Sequence, residues 1–236
     1  MEWWDPVVEH KATLVTDAAG RITLTLAPYG SCFLARTTRA GEAGSTSTLE
    51  DWAETGSKQA RVLGPWQVTA GTEEWTAPGA TLSGWEQRDA TRHFSGVATY
   101  ETTVTLSAAD IQSKGIWLDF GEGVRVQEYP MRNGYRTWLD GPIREAAYVE
   151  VNGGRVVADI WAPPYRMDIT VGVHAGDNRI RIRVGNTAMN HMAGQSLPNY
   201  RLLNLRYGER FVPQDMDQVQ VLPSGLTAPV RLVVRN

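Results

Sequence analysis

The clearest alternation of hydrophobic and polar positions runs through residues 178–184. Arginine occupies positions 179, 181 and 183, and Ile180, Ile182 and Val184 alternate with the arginines. Successive side chains of a β-strand point to opposite faces, so this period of two places the aliphatic residues in a core and the arginines in water. The segment is therefore predicted to be a half-buried strand.

A β-hairpin is predicted before that strand. Two apolar, β-branched runs, residues 147–151 and 155–160, flank the sequence Asn152-Gly153-Gly154. Positive φ is cheap for glycine and tolerated by asparagine, so these residues suit a tight turn. Proline cannot lie inside a central strand. The pair Pro163-Pro164 therefore predicts that the chain leaves the sheet there and re-enters it near residues 167–169.

The remaining pattern also favours strands. Predicted strands lie at residues 62–68, 94–106, 116–120 and 230–234, and weaker ones at 200–207 and 219–222. Residues 72–91 lack a clean period and are predicted to be a loop with room for a short turn of helix. Ser107 is suited to cap one short helical turn. A chain of 236 residues with this pattern is long enough for one large all-β domain.

The first quarter of the chain differs from the rest. Residues 11–37 predict a small meander of strands with turns at 17–20 and 28–30. Residues 37–57 are rich in Gly, Ala, Ser, Thr and Glu, a composition typical of a linker or surface loop. We therefore divide the chain into a short β segment with its linker, residues 1–58, and a main domain, residues 59–236.

Several motifs of the main domain resemble one group of domains. They are Phe-Ser-Gly-Val-Ala-Thr-Tyr-Glu at 94–101, Ile-Trp-Leu-Asp-Phe-Gly at 116–121, Val-Asn-Gly at 151–153, Pro-Pro-Tyr-Arg-Met-Asp-Ile-Thr at 163–170 and Gly-Asp-Asn-Arg-Ile-Arg-Ile-Arg-Val-Gly-Asn at 176–186. Their order resembles the galactose-binding-like, glycoside hydrolase family 2-type sugar-binding jelly roll of β-galactosidase-like and β-glucuronidase-like enzymes. Residues 222–232 resemble the C-terminal region of large α-L-rhamnosidases, which are family 106-like glycoside hydrolases.

The resemblance implies a fold and a context. It implies a galactose-binding-like jelly-roll β-sandwich that binds a plant or bacterial glycan, beside a catalytic barrel domain, in an enzyme of polysaccharide degradation. The turn at 26–31 is similar to the end of the domain that precedes this jelly roll, so residues 1–58 are expected to be its remnant. The family context is secreted or periplasmic, whereas residues 1–5 lack the features of a signal peptide. Localisation stays unknown, and either a fragment of a longer protein or a stand-alone copy is expected.

Aromatic residues are the first candidates for a binding site. The long loop at residues 121–142 has no sustained strand pattern, and long loops inside compact domains tend to be functional. Tyr135 and Trp138 in this loop, and Trp161 and Tyr165 beside the two prolines, are predicted to be exposed and to stack on sugar rings. The alternative is that these rings pack on the sheet edge or on a neighbouring domain.

Polar residues near those aromatics in the sequence are the second group of candidates. Arg144, Arg166, Asn186, Asn190 and His191 carry groups that hydrogen-bond sugar hydroxyls or a uronic carboxylate. For the two asparagines, capping a turn with the side-chain amide is the alternative.

Catalysis by the chain itself is a further hypothesis. A glycosidase ordinarily needs two carboxyl groups about 5 to 9.5 Å apart. The candidates are Glu122, with Asp119 as its partner, and Glu145, with Asp159 as its partner. Related enzymes carry their acids on a (β/α)₈ barrel, for which this chain has neither the length nor the alternation of strand and helix. The favoured interpretation is a non-catalytic carbohydrate-binding or accessory domain. A small glycosidase and a purely structural buttress domain are the alternatives.

Composition argues against other classes of protein. The net charge of -3 gives no cationic surface for nucleic acid or anionic lipid, and no stretch approaches the ~20 apolar residues of a membrane span. The single cysteine, Cys32, excludes an intramolecular disulfide and is expected to be buried and inert. No cofactor is expected. A structural calcium bound by Asp215 and Asp217 is the alternative that the resemblance raises.

Overall fold

Two antiparallel sheets share one hydrophobic core and form an all-β sandwich, which confirms the predicted fold class. The structure is a computed structural model that describes residues 2–4, 11–13, 19–22, 24, 31–36, 58–126, 139–154, 156–212 and 218–235. The predicted linker at 37–57 lies outside these ranges, so the division at residue 58 stays a prediction. Among the described residues, no helix has the length and apolar character needed to cross a membrane.

The strands within the described residues are short except for two strands of ten residues. In chain order they are β1 (Glu2–Trp4), β2 (Lys11–Thr13), β3 (Phe33–Ala35), β4 (Lys58–Val62), β5 (Trp66–Ala70), β6 (Glu73–Ala77), β7 (Val97–Leu106), β8 (Gly115–Asp119), β9 (Val124–Arg125), β10 (Leu139–Asp140), β11 (Ile143–Arg144), β12 (Ala146–Val151), β13 (Val156–Ile160), β14 (Arg166–Asp168), β15 (Gly176–Gly185), β16 (Gly225–Leu226) and β17 (Arg231–Arg235). The helices are α1 (Ala108–Ile111), α2 (Met189–Ala193) and α3 (Arg201–Tyr207), and 3-10 turns span Gly79–Thr81, Trp85–Gln87, Asp89–Thr91 and Thr170–Gly172.

The larger sheet has six strands in the order β13-β12-β15-β7-β5-β6, and the smaller has four in the order β14-β8-β17-β4. Two short pairs, β9 with β10 and β11 with β16, lie beside them, and β2-β1-β3 form a separate three-stranded sheet. Strands β7 and β15 pair over their whole length at the centre of the six-stranded sheet. This central pair fixes which side chains reach the core and which reach water.

Burial in β15 follows the predicted alternation. Ile180, Ile182 and Val184 are completely buried, and the arginines between them lie on the outer face of the sheet. Strand β8 alternates in the same way, with Ile116 and Leu118 in the core. Trp117 lies between them on the opposite face and is half-buried.

The predicted hairpin is confirmed. Asn152, Gly153 and Gly154 have φ values of 50°, 73° and 95° between β12 and β13. The Asn152 side chain fastens this turn to β15, because its Nδ2 donates to Asn178 Oδ1 (2.8 Å) and its Oδ1 accepts from Arg179 N (2.9 Å). The turn thereby sets the register of three adjacent strands.

Four local predictions were wrong. Residues 200–207 contain helix α3 instead of a strand, because leucine and arginine are good helix formers and no described strand pairs with them. Gly208, with φ 85°, ends this helix. Residues 219–222 form no strand, and residues 72–91, expected to be a loop, contain β6 paired with β5. Cys32 is half-buried rather than buried.

Candidate ligand-binding cleft

A cleft of about 480 Å³ opens on the outer face of the six-stranded sheet. Strands β7, β12, β13 and β15 all contribute to it, and its exposed large apolar side chains are Trp161 and Val97. Its lining consists of Val97, Ala146, Ala147, Tyr148, Asp159, Trp161, Arg183 and Gly185. It therefore combines aromatic rings, small apolar residues and two charged side chains.

Strand register places three of these side chains in one row. Tyr148 of β12 lies opposite Asp159 of β13 on one side and opposite Arg183 of β15 on the other. The guanidinium carbon of Arg183 lies 4.4 Å from the centroid of the Tyr148 ring, a cation–π contact. This contact holds the Arg183 guanidinium over the Tyr148 ring within the cleft lining.

Small residues form the floor beside this row. Gly185 lies opposite Val97 on β7 and opposite Ala146 on β12. Because glycine has no side chain and alanine has only a methyl group, the surface there is low and apolar. Such a flat floor leaves the exposed Trp161 indole accessible to a ligand.

Trp161 is exposed because of its place at the end of an edge strand. It follows Ile160, the last residue of β13, and the chain then turns away at Pro163-Pro164. Its side chain is 61% exposed. An exposed indole beside fixed polar groups suits stacking against the C–H face of a sugar ring.

The other two arginines of β15 are neutralised by carboxylates. Arg179 Nη2 lies 2.8 Å from Glu101 Oε2, and Arg181 Nε also binds Glu101. Arg181 Nη1 lies 3.7 Å from Glu150 Oε2. Burial acts to raise the pKa of Glu101, but the hydrogen bonds from Arg179 and Arg181 outweigh it and hold this pKa below its usual value. The outer face next to the cleft is thus an ordered ion-pair network.

This network predicts how stability depends on pH. A carboxylate with a lowered pKa in the folded state stabilises the protein above its unfolded pKa, and that contribution is lost as pH falls through the folded pKa. We expect the free energy of unfolding to decline as pH falls below the ordinary value of 4.5. The Glu101→Gln variant should be less stable at neutral pH and should decline less on acidification, as measured by urea unfolding.

The matched control is Glu74→Gln. Glu74 is exposed on edge strand β6 and makes no ion pair within the described part of the chain. Its variant should keep the acid dependence of the unsubstituted protein. Identical pH profiles for both variants would contradict the role given to Glu101.

Tyr165 is not exposed, contrary to the prediction. Its side chain is 8% exposed, and a Cβ added to Gly141 would lie 2.9 Å from Tyr165 Cζ. Burial raises the pKa of the Tyr165 hydroxyl, while Arg144 acts to lower it. Tyr165 joins the hydrophobic core because the chain re-enters the smaller sheet at Arg166, directly after it.

Arg144 lies beside Tyr165 in a half-buried position. Its Nη2 is 3.0 Å from Asp140 Oδ1, whereas its buried Nε has no hydrogen-bond partner among the residues that the structure describes. Strand β11, which contains Arg144, pairs with β16 and leads into β12 of the cleft. Arg144 therefore lies close in the chain to the cleft lining without being part of it.

The two candidate asparagines are used inside the protein. Asn186 Oδ1 accepts from Gly96 N (2.8 Å), and Asn186 Nδ2 donates to Phe94 O and Ser224 Oγ. Asn190 is buried, accepts from Leu222 N and donates to Leu222 O and Ser224 Oγ. Their amides join segments that are distant in the sequence rather than cap their own turns, and neither amide is directed at a ligand.

His191 and Arg166 do not line the cleft. His191 is exposed on α2, where its ring Nε2 lies 3.3 Å from Gln195 Nε2. Arg166 belongs to the four-stranded sheet, whereas the cleft lies on the six-stranded one. Burial lowers the pKa of Arg166 to about 9, against the opposing influence of Asp119 and Glu122.

The two candidate glutamates are exposed and lie beside different sheets. Glu122 follows β8 of the smaller sheet, and Glu145 precedes β12 of the larger one. Within the described ranges, no group of three potential ligands gathers at a metal site. Tyr135, Trp138, Asp215 and Asp217 lie outside the described residues, so the predicted aromatic loop and the calcium alternative stay predictions.

Comparison with known proteins identifies the fold. The structure matches part of the rhamnosidase from Novosphingobium sp. PP1Y with a TM-score of 0.59 and 23% identity, over 98% of this chain and 20% of that one. The two share a fold. No family model matches the sequence.

Two further likenesses are weaker. A protein from Formosa agariphila named "Putative beta-glucuronidase" is 24% identical over 177 residues, which are 65% of this chain and 13% of that protein. The Bifidobacterium dentium β-glucuronidase has a TM-score of 0.48 and 17% identity, over 77% of this chain and 30% of that one. The chain thus spans a small part of the length of each protein that it resembles.

Sequence reasoning missed the Tyr148–Arg183 stack. The signals were present in two separate patterns, because the hairpin turn fixes the partners of Tyr148 on β13 and the arginine alternation places Arg183 on the outer face. What was missing is the register between β12 and β15, which brings Tyr148 and Arg183 together. Only the assembled sheet shows that these residues share a cleft with Trp161.

Proposed function

We propose that this chain is a non-catalytic carbohydrate-binding or accessory domain that belongs to, or descends from, an α-L-rhamnosidase-like glycoside hydrolase. The observation that carries this proposal is the cleft, where the exposed Trp161 lies beside the Arg183–Tyr148 stack. Sugar recognition needs an apolar ring surface with a few fixed polar groups, and the cleft offers both. Its ligand is a plant or bacterial glycan.

The likeness to the rhamnosidase supports the context of this proposal. That protein is five times longer than the matched region, since the match covers 20% of it. We assign the chain to the galactose-binding-like jelly roll that the sequence motifs resemble, and we place catalysis in a separate barrel domain. In this arrangement the cleft holds the glycan while the barrel cleaves it.

The candidate acids support a role without catalysis. Two glycosidase carboxylates must face each other at a fixed separation of about 5 to 9.5 Å. Glu122 lies between Gly121 and Gly123, both at positive φ, on an exposed segment that offers little support for such geometry. Glu145 is also exposed.

A structural buttress domain is the second candidate, and helix α3 favours it. Leu202 and Leu205 on this helix are 80% and 74% exposed, and Val212 nearby in the chain is also exposed. A run of exposed aliphatic side chains marks a surface that another domain can cover. This role is compatible with glycan binding at the cleft but does not require it.

Calorimetric titration tests the proposed function. Oligosaccharides ending in rhamnose, galactose and glucuronate are added in turn to the purified chain, and at least one of them is expected to bind with measurable heat. Absence of heat with every oligosaccharide would reject glycan binding and favour the buttress role.

A turnover assay separates the binding domain from a small glycosidase. We expect no product above the uncatalysed rate from aryl α-L-rhamnosides, β-galactosides, β-glucosides or β-glucuronides. Turnover that is lost in a folded Glu122→Gln or Glu145→Gln variant would show that the chain is an enzyme.

A further inference from the structure

Arg183 differs from the other arginines on its strand. Arg179 and Arg181 occupy the same outer face and are both paired with Glu101. Arg183 makes no hydrogen bond or ion pair within the part of the chain that the structure describes, and its recorded contact is the stack on Tyr148. Its five N–H donors therefore remain available to a ligand.

Stacking on Tyr148 prepares Arg183 for a planar anion. The Arg183 guanidinium carbon lies 4.4 Å from the Tyr148 ring centroid. This contact leaves guanidinium N–H groups available, and two of them match the two oxygens of a carboxylate. The stack also restricts the long side chain before a ligand arrives, which reduces the ordering that binding requires. A carboxylate is thus the group that satisfies this side chain best.

Asp159 lies across the cleft and limits which anions fit. It belongs to the same row as Arg183 but on the far side of Tyr148, so the two backbones are about 9.5 Å apart, twice the spacing of adjacent strands. A ligand with one carboxylate and several hydroxyls suits both ends, because Asp159 accepts hydrogen bonds from hydroxyls. A simple polyanion would instead face repulsion from Asp159.

We infer that the cleft binds a hexuronic acid residue of a glycan, with the sugar carboxylate on the Arg183 guanidinium, a hydroxyl on Asp159 and the ring against Trp161. This inference rests on the glycan-binding function proposed above and names the class of sugar. It assigns Arg183 as the residue that selects uronic acids over neutral sugars.

The test compares oligosaccharides that differ only in the carboxyl group. Digalacturonate and a glucuronate-terminated disaccharide are each titrated by calorimetry beside their carboxyl-reduced, neutral counterparts. At least one uronide is expected to bind at least about tenfold more tightly than its neutral counterpart, the gain typical of charge-assisted hydrogen bonds. The preference should weaken as sodium chloride is added.

Two variants locate the source of the preference. Arg183→Gln should reduce binding of the uronide about tenfold or more and leave binding of the neutral sugar within about threefold. Arg179→Gln is the matched control, because Arg179 lies on the same strand and face but pairs with Glu101. Its variant should keep the preference.

The outcomes separate this inference from the proposed function. Equal affinity for uronide and neutral sugar, an equal loss of both in Arg183→Gln, or a lost preference in Arg179→Gln would overturn the uronic acid inference and leave glycan binding in place. Failure of every oligosaccharide to bind would overturn glycan binding itself.

Discussion

Replacement of Gly225 by alanine should lower the free energy of unfolding by about 2 to 5 kcal/mol, the sum of backbone strain at positive φ and overpacking in a core. Gly225 has φ 94°, and a Cβ added there would lie 2.6 Å from Trp85 Cε3 and closer still to Tyr100 Oη. Both aromatic side chains are buried and cannot move aside. Burial also raises the pKa of Tyr100 to about 12, as expected for a hydroxyl enclosed by this core.

Gly225 also lies opposite Arg144 on β11, the strand that leads into β12 of the cleft. Gly176→Ala is the matched control, since Gly176 has φ 96° and open space where its Cβ would be. That variant should lose only about 1 to 2 kcal/mol through strain. Urea unfolding measures both, and equal losses would contradict the close packing described for Gly225.

Replacement of Trp161 by alanine should weaken glycan binding by about 1 to 3 kcal/mol, the range for loss of an aromatic hot spot. This corresponds to roughly 5- to 150-fold in the dissociation constant. The fold should stay intact, because the side chain is largely exposed and does not belong to the core. Calorimetry with the oligosaccharide that binds best measures the loss, and circular dichroism checks the fold.

Trp4→Ala provides a control with the same chemical change. Trp4 is also an exposed tryptophan, but it lies in the separate three-stranded sheet. Its variant should bind the glycan as the unsubstituted chain does. Equal weakening in both variants, or none in Trp161→Ala, would remove Trp161 from the binding site.

The central part of the fold could be predicted from the sequence because its strands obey simple local rules. Alternation places Ile180, Ile182 and Val184 in the core, and the turn at Asn152-Gly153 requires residues that accept positive φ. Helix α3 could not be predicted in this way. Its leucines are exposed rather than arranged on one buried face, so no periodicity marks the helix.

The candidate site was only partly predictable. Trp161 was recognised because prolines end its strand, which is a local signal. The roles of Asn186 and Asn190 depend on partners far away in the sequence, such as Gly96 and Ser224, and their amides turn inward for that reason. Tyr165 is buried because it leads directly into β14, a strand whose place in the smaller sheet the sequence does not reveal.

The measurement that tests the central claim most directly is a titration followed by the indole N–H resonances of the nine tryptophans. The Trp161 resonance is assigned as the signal that disappears in Trp161→Ala, and glucuronate- or galacturonate-containing oligosaccharide is then added to the unsubstituted chain. The account predicts a saturable shift of the Trp161 resonance. Binding that leaves this resonance unchanged, or that shifts only other tryptophans, would contradict a glycan site in this cleft.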